Sequence, residues 1–197
     1  GSVINELRRL APEESFVIST TSSTGHAVCE KLARSEDVLI YLPVDFPHVV
    51  RKSLKIINAK ALVLTESEFW PNLIRRLKKN GTPVILVNGR ISDRSAPRYK
   101  KLKFFFKEVF ESFSTMLVQS TTDRDRLIAA GAPPASVHVM GTVKFDVKPA
   151  SPEALETARR TLSEAGIASD SKILLGGSTW QAEETAIAEA WHHAREV

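Results

Sequence analysis

Short runs of β-branched and aromatic residues recur along the chain at 16–20, 38–41, 62–65, 84–87, 116–119 and 137–140. Between most of them lie stretches with helical spacing of apolar side chains, near 25–34, 47–57, 71–79, 98–113 and 121–130. This alternation is the strongest constraint on the fold. Strands joined through helices run parallel, and a parallel sheet carries helices on both faces. The chain is therefore expected to be α/β. No segment repeats at a fixed period, which excludes a solenoid.

Composition agrees. In 197 residues, 43% hydrophobic content is enough to build a core. The single cysteine, Cys29, can form no internal disulfide and sits in a helical pattern with Ala27, Val28, Leu32 and Ala33. It reads as a small buried apolar residue in a reducing compartment, and nothing nearby has the spacing of a metal or redox motif. No apolar run is long enough to cross a bilayer, and the opening GSVINELRRL lacks a signal-peptide core. Gly1 and Ser2 match a cloning remnant, so an upstream segment is expected. A formal charge of +4 implies no nucleic-acid partner. Its basic residues nevertheless cluster at Arg90, Arg94, Arg98, Lys100, Lys101, Lys103 and Lys107.

Residues 1–140 are expected to form one domain. After Met140, GTVKFDVKPASPEA holds two prolines and few apolar residues, so 141–152 reads as a linker. Within 153–197, a strand at 173–175, the glycines Gly176 and Gly177 and a helix from Gln181 would open a second α/β unit. That unit is too small to bury a core alone.

Open parallel sheets bind ligands at the carboxyl ends of their strands. TESEFWPN (65–72) stands at such an end, with Glu66 and Glu68 ahead of Trp70 and Pro71. Pro71 suits the first turn of a helix, whose amide end stabilises nearby carboxylates. The two acids therefore read either as helix caps or as site residues. NGRISDRS (88–95), at the end of the fourth strand, offers Asn88, Arg90, Ser92, Arg94 and Ser95 as an anion clamp, or else a solvated loop. TTSSTGH (20–26) places Thr24 and Gly25 at a helix start, as an anion cradle or a hydroxyl-rich cap. No second His or Asp stands near His26 at catalytic spacing. In GGSTWQAEE (176–184), the backbone with Gly177, Ser178 and Thr179 can hold an anion, or Glu183 and Glu184 can complete a capping box.

In YKKLKFFFKEVFESFSTM, one helical stripe holds Leu102, Phe105, Phe106, Val109, Phe110 and Phe113, which reads as core. Phe104 falls off it among Lys100, Lys101 and Lys103, a composition suited to an anionic membrane surface or to a solvated face.

In order, TTSSTG, PVDFP (43–47), TESEFWPN, NGRISDRS, VQSTTDRDRLIAAGAPP (118–134), GTVKFD (141–146) and GGSTWQAEE resemble the 3-deoxy-D-manno-oct-2-ulosonic acid (Kdo) transferases of lipopolysaccharide biosynthesis. The resemblance implies the Rossmann-like amino-terminal domain of a GT-B glycosyltransferase, followed by the start of the second Rossmann-like domain. It implies inverting transfer of Kdo from CMP-Kdo to a lipid A precursor at the cytoplasmic face of the bacterial inner membrane, with no metal or other cofactor. Glu68, supported by Glu66, would orient the acceptor. Thr24, Gly25, Asn88, Arg90, Arg94 and Lys144 would bind acceptor or anion. Gly177, Ser178, Thr179 and Glu183 would meet the donor, and Lys100, Lys101, Lys103 and Phe104 the membrane. The family's membrane anchor and its SVGE-like segment with the presumed catalytic glutamate are expected upstream of Val3, so this chain alone is expected to be inactive. Within the matched segments, Trp180 stands where the family usually has His, and Thr142 where it has Asn. Other readings are another GT-B transferase, a nucleotide-sugar epimerase, or a non-enzymatic module that binds anionic lipid.

Overall fold

All six β-branched runs form strands: β1 (Val17–Thr20), β2 (Val38–Tyr41), β3 (Leu62–Thr65), β4 (Val84–Gly89), β5 (Thr115–Val118) and β6 (Val137–Val139). A computed structural model describes residues 2–146 and 149–196, in two compact units, 1–146 and 147–197. Every strand pairing is parallel, as the interleaved helices require. The strands pair in two sheets, β1-β2 and β3-β4-β5-β6.

The helices of the first unit are α1 (Ser2–Leu10), α2 (Ser23–Glu30), α3 (Pro47–Ile57), α4 (Pro71–Lys79), α5 (Ala96–Lys101), α6 (Lys103–Phe110) and α7 (Thr121–Ala129). Both α3 and α4 start on proline, whose missing amide proton costs nothing in a first turn. The sequence reading passed over α1. Its anchor is the buried Arg8, which pairs with Asp37, donates to the Leu32 carbonyl at 2.9 Å and lies over the Phe16 ring at 5.8 Å.

The core gathers on the larger sheet, where Ile74, Leu77, Val84, Leu86, Phe110 and Met116 are all but fully buried. The smaller sheet is less covered: Val17, Val38 and Tyr41 are exposed, and Cys29 is only half-buried. The basic aromatic segment departs from a single helix over 98–113. At Leu102 (φ −97°, ψ 26°) the backbone leaves helical geometry and separates α5 from α6. That break rotates the expected stripe, so Val109, Phe110 and Phe113 stay buried while Leu102 and Phe105 turn toward solvent. Phe106 packs against the core from its edge.

In the second unit, α8 (Pro152–Glu164) begins at a Ser151 cap and α9 spans Glu183–Glu196. The expected strand at 173–175 does not form, and Ile173, Leu174 and Leu175 are exposed. A parallel strand gains its hydrogen bonds only from a neighbour, and the described residues of this unit offer none. The expected helix from Gln181 begins at Glu183.

Candidate functional site

The carboxyl ends of β3, β4 and β5 open onto a cleft of about 410 Å³ lined by Glu66, Ser67, Glu68, Arg90, Ser92, Ser95, Gln119 and Lys144. Two left-handed residues stand at these strand ends, Glu66 (φ 61°) just after β3 and Asn88 (φ 57°) one residue before the end of β4. Asn adopts this conformation readily, whereas at Glu it costs on the order of 1 kcal/mol and redirects the chain sharply as it leaves the sheet. The β3–α4 and β4–α5 loops are joined where the Ser67 hydroxyl donates to the Arg90 carbonyl.

The structure assigns the capping of α4 to a residue other than the two glutamates. The free amides at the start of α4 are taken by Asp45, from the segment after β2: its carboxylate accepts from Asn72 N at 2.9 Å and Leu73 N at 2.8 Å. The Asp45 carbonyl accepts from Asn72 Nδ2 at 2.6 Å. Trp70, at the N-cap position, supplies no side-chain bond. Glu66 and Glu68 accordingly cap nothing, and among the described residues their carboxylates make no hydrogen bond or ion pair. Phe69 fixes the turn from the other side, edge-on to Phe110 at 5.3 Å and to Tyr99 at 5.7 Å. Anchoring Phe69 inward leaves its neighbour Glu68 in the cleft wall.

The opposite wall is held by α7. The buried Asp123 carboxylate accepts from Ile91 N at 2.7 Å, and Arg126 donates to the Ile91 carbonyl at 2.6 Å and pairs with Asp93. Ser120 caps the same helix through Asp123 N at 3.1 Å. The loop bearing Arg90, Ser92 and Ser95 is thereby pinned at both polar groups of one residue. Within it, the Ser92 hydroxyl donates to that of Ser95 at 2.9 Å.

Of the residues singled out from the sequence, Glu66, Glu68, Arg90 and Lys144 meet in this cleft. Asn88 is buried behind it, and Arg94, although in the same loop, is exposed and does not line it. Thr24 and Gly25 lie at the start of α2, at the end of β1 in the smaller sheet, where the Ser22 hydroxyl accepts from Gly25 N at 3.1 Å. His26 there stacks on Tyr41 with ring centroids 4.6 Å apart. Lys100, Lys101, Lys103 and Phe104 are exposed along α5 and α6. Gly177, Ser178, Thr179 and Glu183 belong to the second unit. There Glu183 accepts from Trp180 N at 2.8 Å and Glu184 from the Thr179 hydroxyl, the local arrangement of the capping alternative. The Thr179 hydroxyl holds the Glu184 carboxyl below its ordinary pKa.

Sequence reasoning pointed to Ser92 and Ser95, which line the cleft, but missed Ser67 and Gln119 as lining residues and Asp45 and Asp123 as supports. Asp45 had a signal, since an acid between prolines in PVDFP is suited to capping, but its target lies 27 residues further on.

Chemically, the cleft sets two carboxylates, which accept from sugar hydroxyls, beside a guanidinium and an ammonium, which attract carboxylate or phosphate. Among the described residues no group of three or more His, Cys, Asp or Glu side chains is placed to hold a metal ion, and no helix is long and apolar enough to cross a membrane.

Parallel α/β layering with a polar cleft at the strand ends defines a Rossmann-like domain of the glycosyltransferase type. The family model described as 3-deoxy-D-manno-octulosonic-acid transferase (kdotransferase) matches residues 1–147, and the chain belongs to that family. It is 35% identical over 181 residues to a bifunctional glycosyltransferase/methyltransferase of Fusobacterium nucleatum, covering 90% of this chain and 28% of that protein. It is 34% identical over 143 residues to a 3-deoxy-D-manno-octulosonic acid transferase of Bordetella pertussis, covering 70% and 32% respectively. Against the Haemophilus influenzae protein of the same name, identity is 27% over 145 residues, covering 74% and 34%. The chain thus spans about a third of the length of these relatives.

Proposed function

We propose that the protein containing this chain transfers Kdo from CMP-Kdo to a lipid A precursor with inversion at the anomeric carbon, and that the cleft between the β3–α4 and β4–α5 loops forms its acceptor side. The observation that carries this reading is the release of Glu66 and Glu68 from helix capping by Asp45, which leaves both carboxylates beside Arg90 and Lys144. Displacement of cytidine monophosphate requires the acceptor hydroxyl to be aligned and to lose its proton. Glu68 orients that hydroxyl, Glu66 supports it, and the proton acceptor is supplied by another part of the longer protein. Arg90 and Lys144 offset the charge of an acceptor phosphate or a sugar carboxylate. Preorganised charge serves this chemistry without a bound metal or other cofactor. The turn at Gly177, Ser178 and Thr179 belongs to the side that receives CMP-Kdo. Lys100, Lys101, Lys103 and Phe104 present cations and an 81% exposed ring suited to the anionic cytoplasmic face of the inner membrane.

The test is donor choice by the full-length protein. CMP-Kdo should raise its thermal midpoint and label a lipid A precursor, while UDP-sugars do neither. Stabilisation and transfer with a UDP-sugar alone would assign the chain to a different transferase.

A further inference from the structure

We infer that Asn88 is a positioning residue, which sets Lys144 and Gln119 in the cleft without facing the ligand itself. This rests on the cleft reading proposed above. Asn88 is 4% exposed and occupies a bulge, for the β4–β5 register shifts between Leu86 and Gly89. Leu86 pairs with Met116 and Gly89 with Val118, so Val87 and Asn88 together oppose Leu117. Its left-handed backbone (φ 57°) suits Asn better than most side chains. Gly89 beside it has no room for a Cβ, which would come within 2.8 Å of Leu86 Cδ2.

From this bulge, Asn88 reaches two lining elements. Its carbonyl accepts from Gln119 Nε2 at 3.1 Å, and its side-chain Oδ1 accepts from Val143 N at 3.3 Å. Val143 opens the 3-10 turn Val143–Phe145 that carries Lys144. The turn has little packing of its own, since Phe145 is 88% exposed, and Thr142 supplies only a local bond to Lys144 N at 3.3 Å. The ammonium on that turn is therefore placed by the bond from Val143 to Asn88. A substitution at Asn88 acts on anion binding through Lys144.

The test uses the 197-residue chain and two readouts. Amide exchange followed residue by residue reports the pin directly. Asn88→Ala should speed exchange at Val143 roughly fivefold, while Leu86 in β4 stays protected. Asn88→Asp, which keeps the acceptor, should restore protection, and Asn88→Gly, which keeps the backbone conformation and loses the acceptor, should not. Unchanged Val143 exchange in Asn88→Ala and Asn88→Gly overturns the proposal. The second readout is the affinity for pyrophosphate. Asn88→Ala should weaken it roughly fivefold, an effect that vanishes in a Lys144→Ala background. An equal loss in both backgrounds overturns positioning through Lys144. If neither Lys144→Ala nor Arg90→Ala alters pyrophosphate affinity, the anion reading of the cleft fails, whereas the exchange result still decides the pin.

Discussion

Replacing Asp123 by alanine probes how the wall bearing Arg90 is held. The carboxylate is buried and accepts from Ile91 N at 2.7 Å, and Ile91 is itself only 2% exposed. Truncation leaves that amide without a partner, at a cost of about 2 kcal/mol for a lost charge-assisted bond to a buried donor. It also removes a negative charge from the first turn of α7, worth about 0.5 kcal/mol more. The Ser120 cap survives, because its bond runs to the backbone amide of residue 123. The expected loss is therefore roughly 2–3 kcal/mol for Asp123→Ala. Asp123→Asn keeps an acceptor for Ile91 and should lose about 1 kcal/mol. Urea unfolding followed by far-UV circular dichroism, with an unchanged denaturant slope, reads both values. A loss below about 0.5 kcal/mol for Asp123→Ala would refute the claim that α7 holds this loop.

Other consequences follow from the same contacts. Asp45→Ala should destabilise by about 1–2 kcal/mol in urea unfolding, because two α4 amides lose their acceptor. A cost near zero would show that another group caps α4. At Asp37, burial raises the carboxyl pKa, but the Arg34 and Phe16 amides and the Arg8 guanidinium overcome this and hold it below its ordinary value. Because its folded pKa is depressed, its stabilisation is complete above the unfolded carboxylate range near pH 4 and is lost as pH falls through the folded value. Denaturation midpoints of the native protein and Asp37→Asn should converge as pH falls through the depressed folded value, and a gap that stays unchanged from neutral pH down to acid unfolding would contradict this. Binding to vesicles of anionic lipid should fall several-fold in Phe104→Ser and in Lys101→Glu, and binding of the unsubstituted protein should weaken as salt is added. Binding indifferent to both changes and to salt would remove α5 and α6 from a membrane role.

Much of the sheet was legible because each strand is a β-branched run bounded by turn residues, and the Pro71 start of α4 was legible because proline there has one common use. Residues 173–175 carry the same local signal and form no strand, since pairing depends on a neighbour that local sequence does not reveal. The α5–α6 break escaped notice for a similar reason: helical spacing runs through Leu102 uninterrupted, while the backbone there does not. In the site, the acids of TESEFWPN stood out through their place after a strand. Whether they capped α4 could not be read locally, because Asp45 reaches that helix from the end of another strand. Asn88 illustrates the converse. Its residue type suggested a ligand contact, and burial behind the cleft gives it a structural partner in Val143.

The central claim concerns Glu68, and Glu68→Gln in the full-length protein tests it most directly. The substitution keeps size and removes the charge proposed to align an acceptor hydroxyl. Single-turnover transfer of Kdo from CMP-Kdo to a lipid A precursor should slow by roughly a hundredfold, with the thermal midpoint unchanged because the carboxylate bonds to no described residue. Transfer within twofold of the unsubstituted protein would contradict the account.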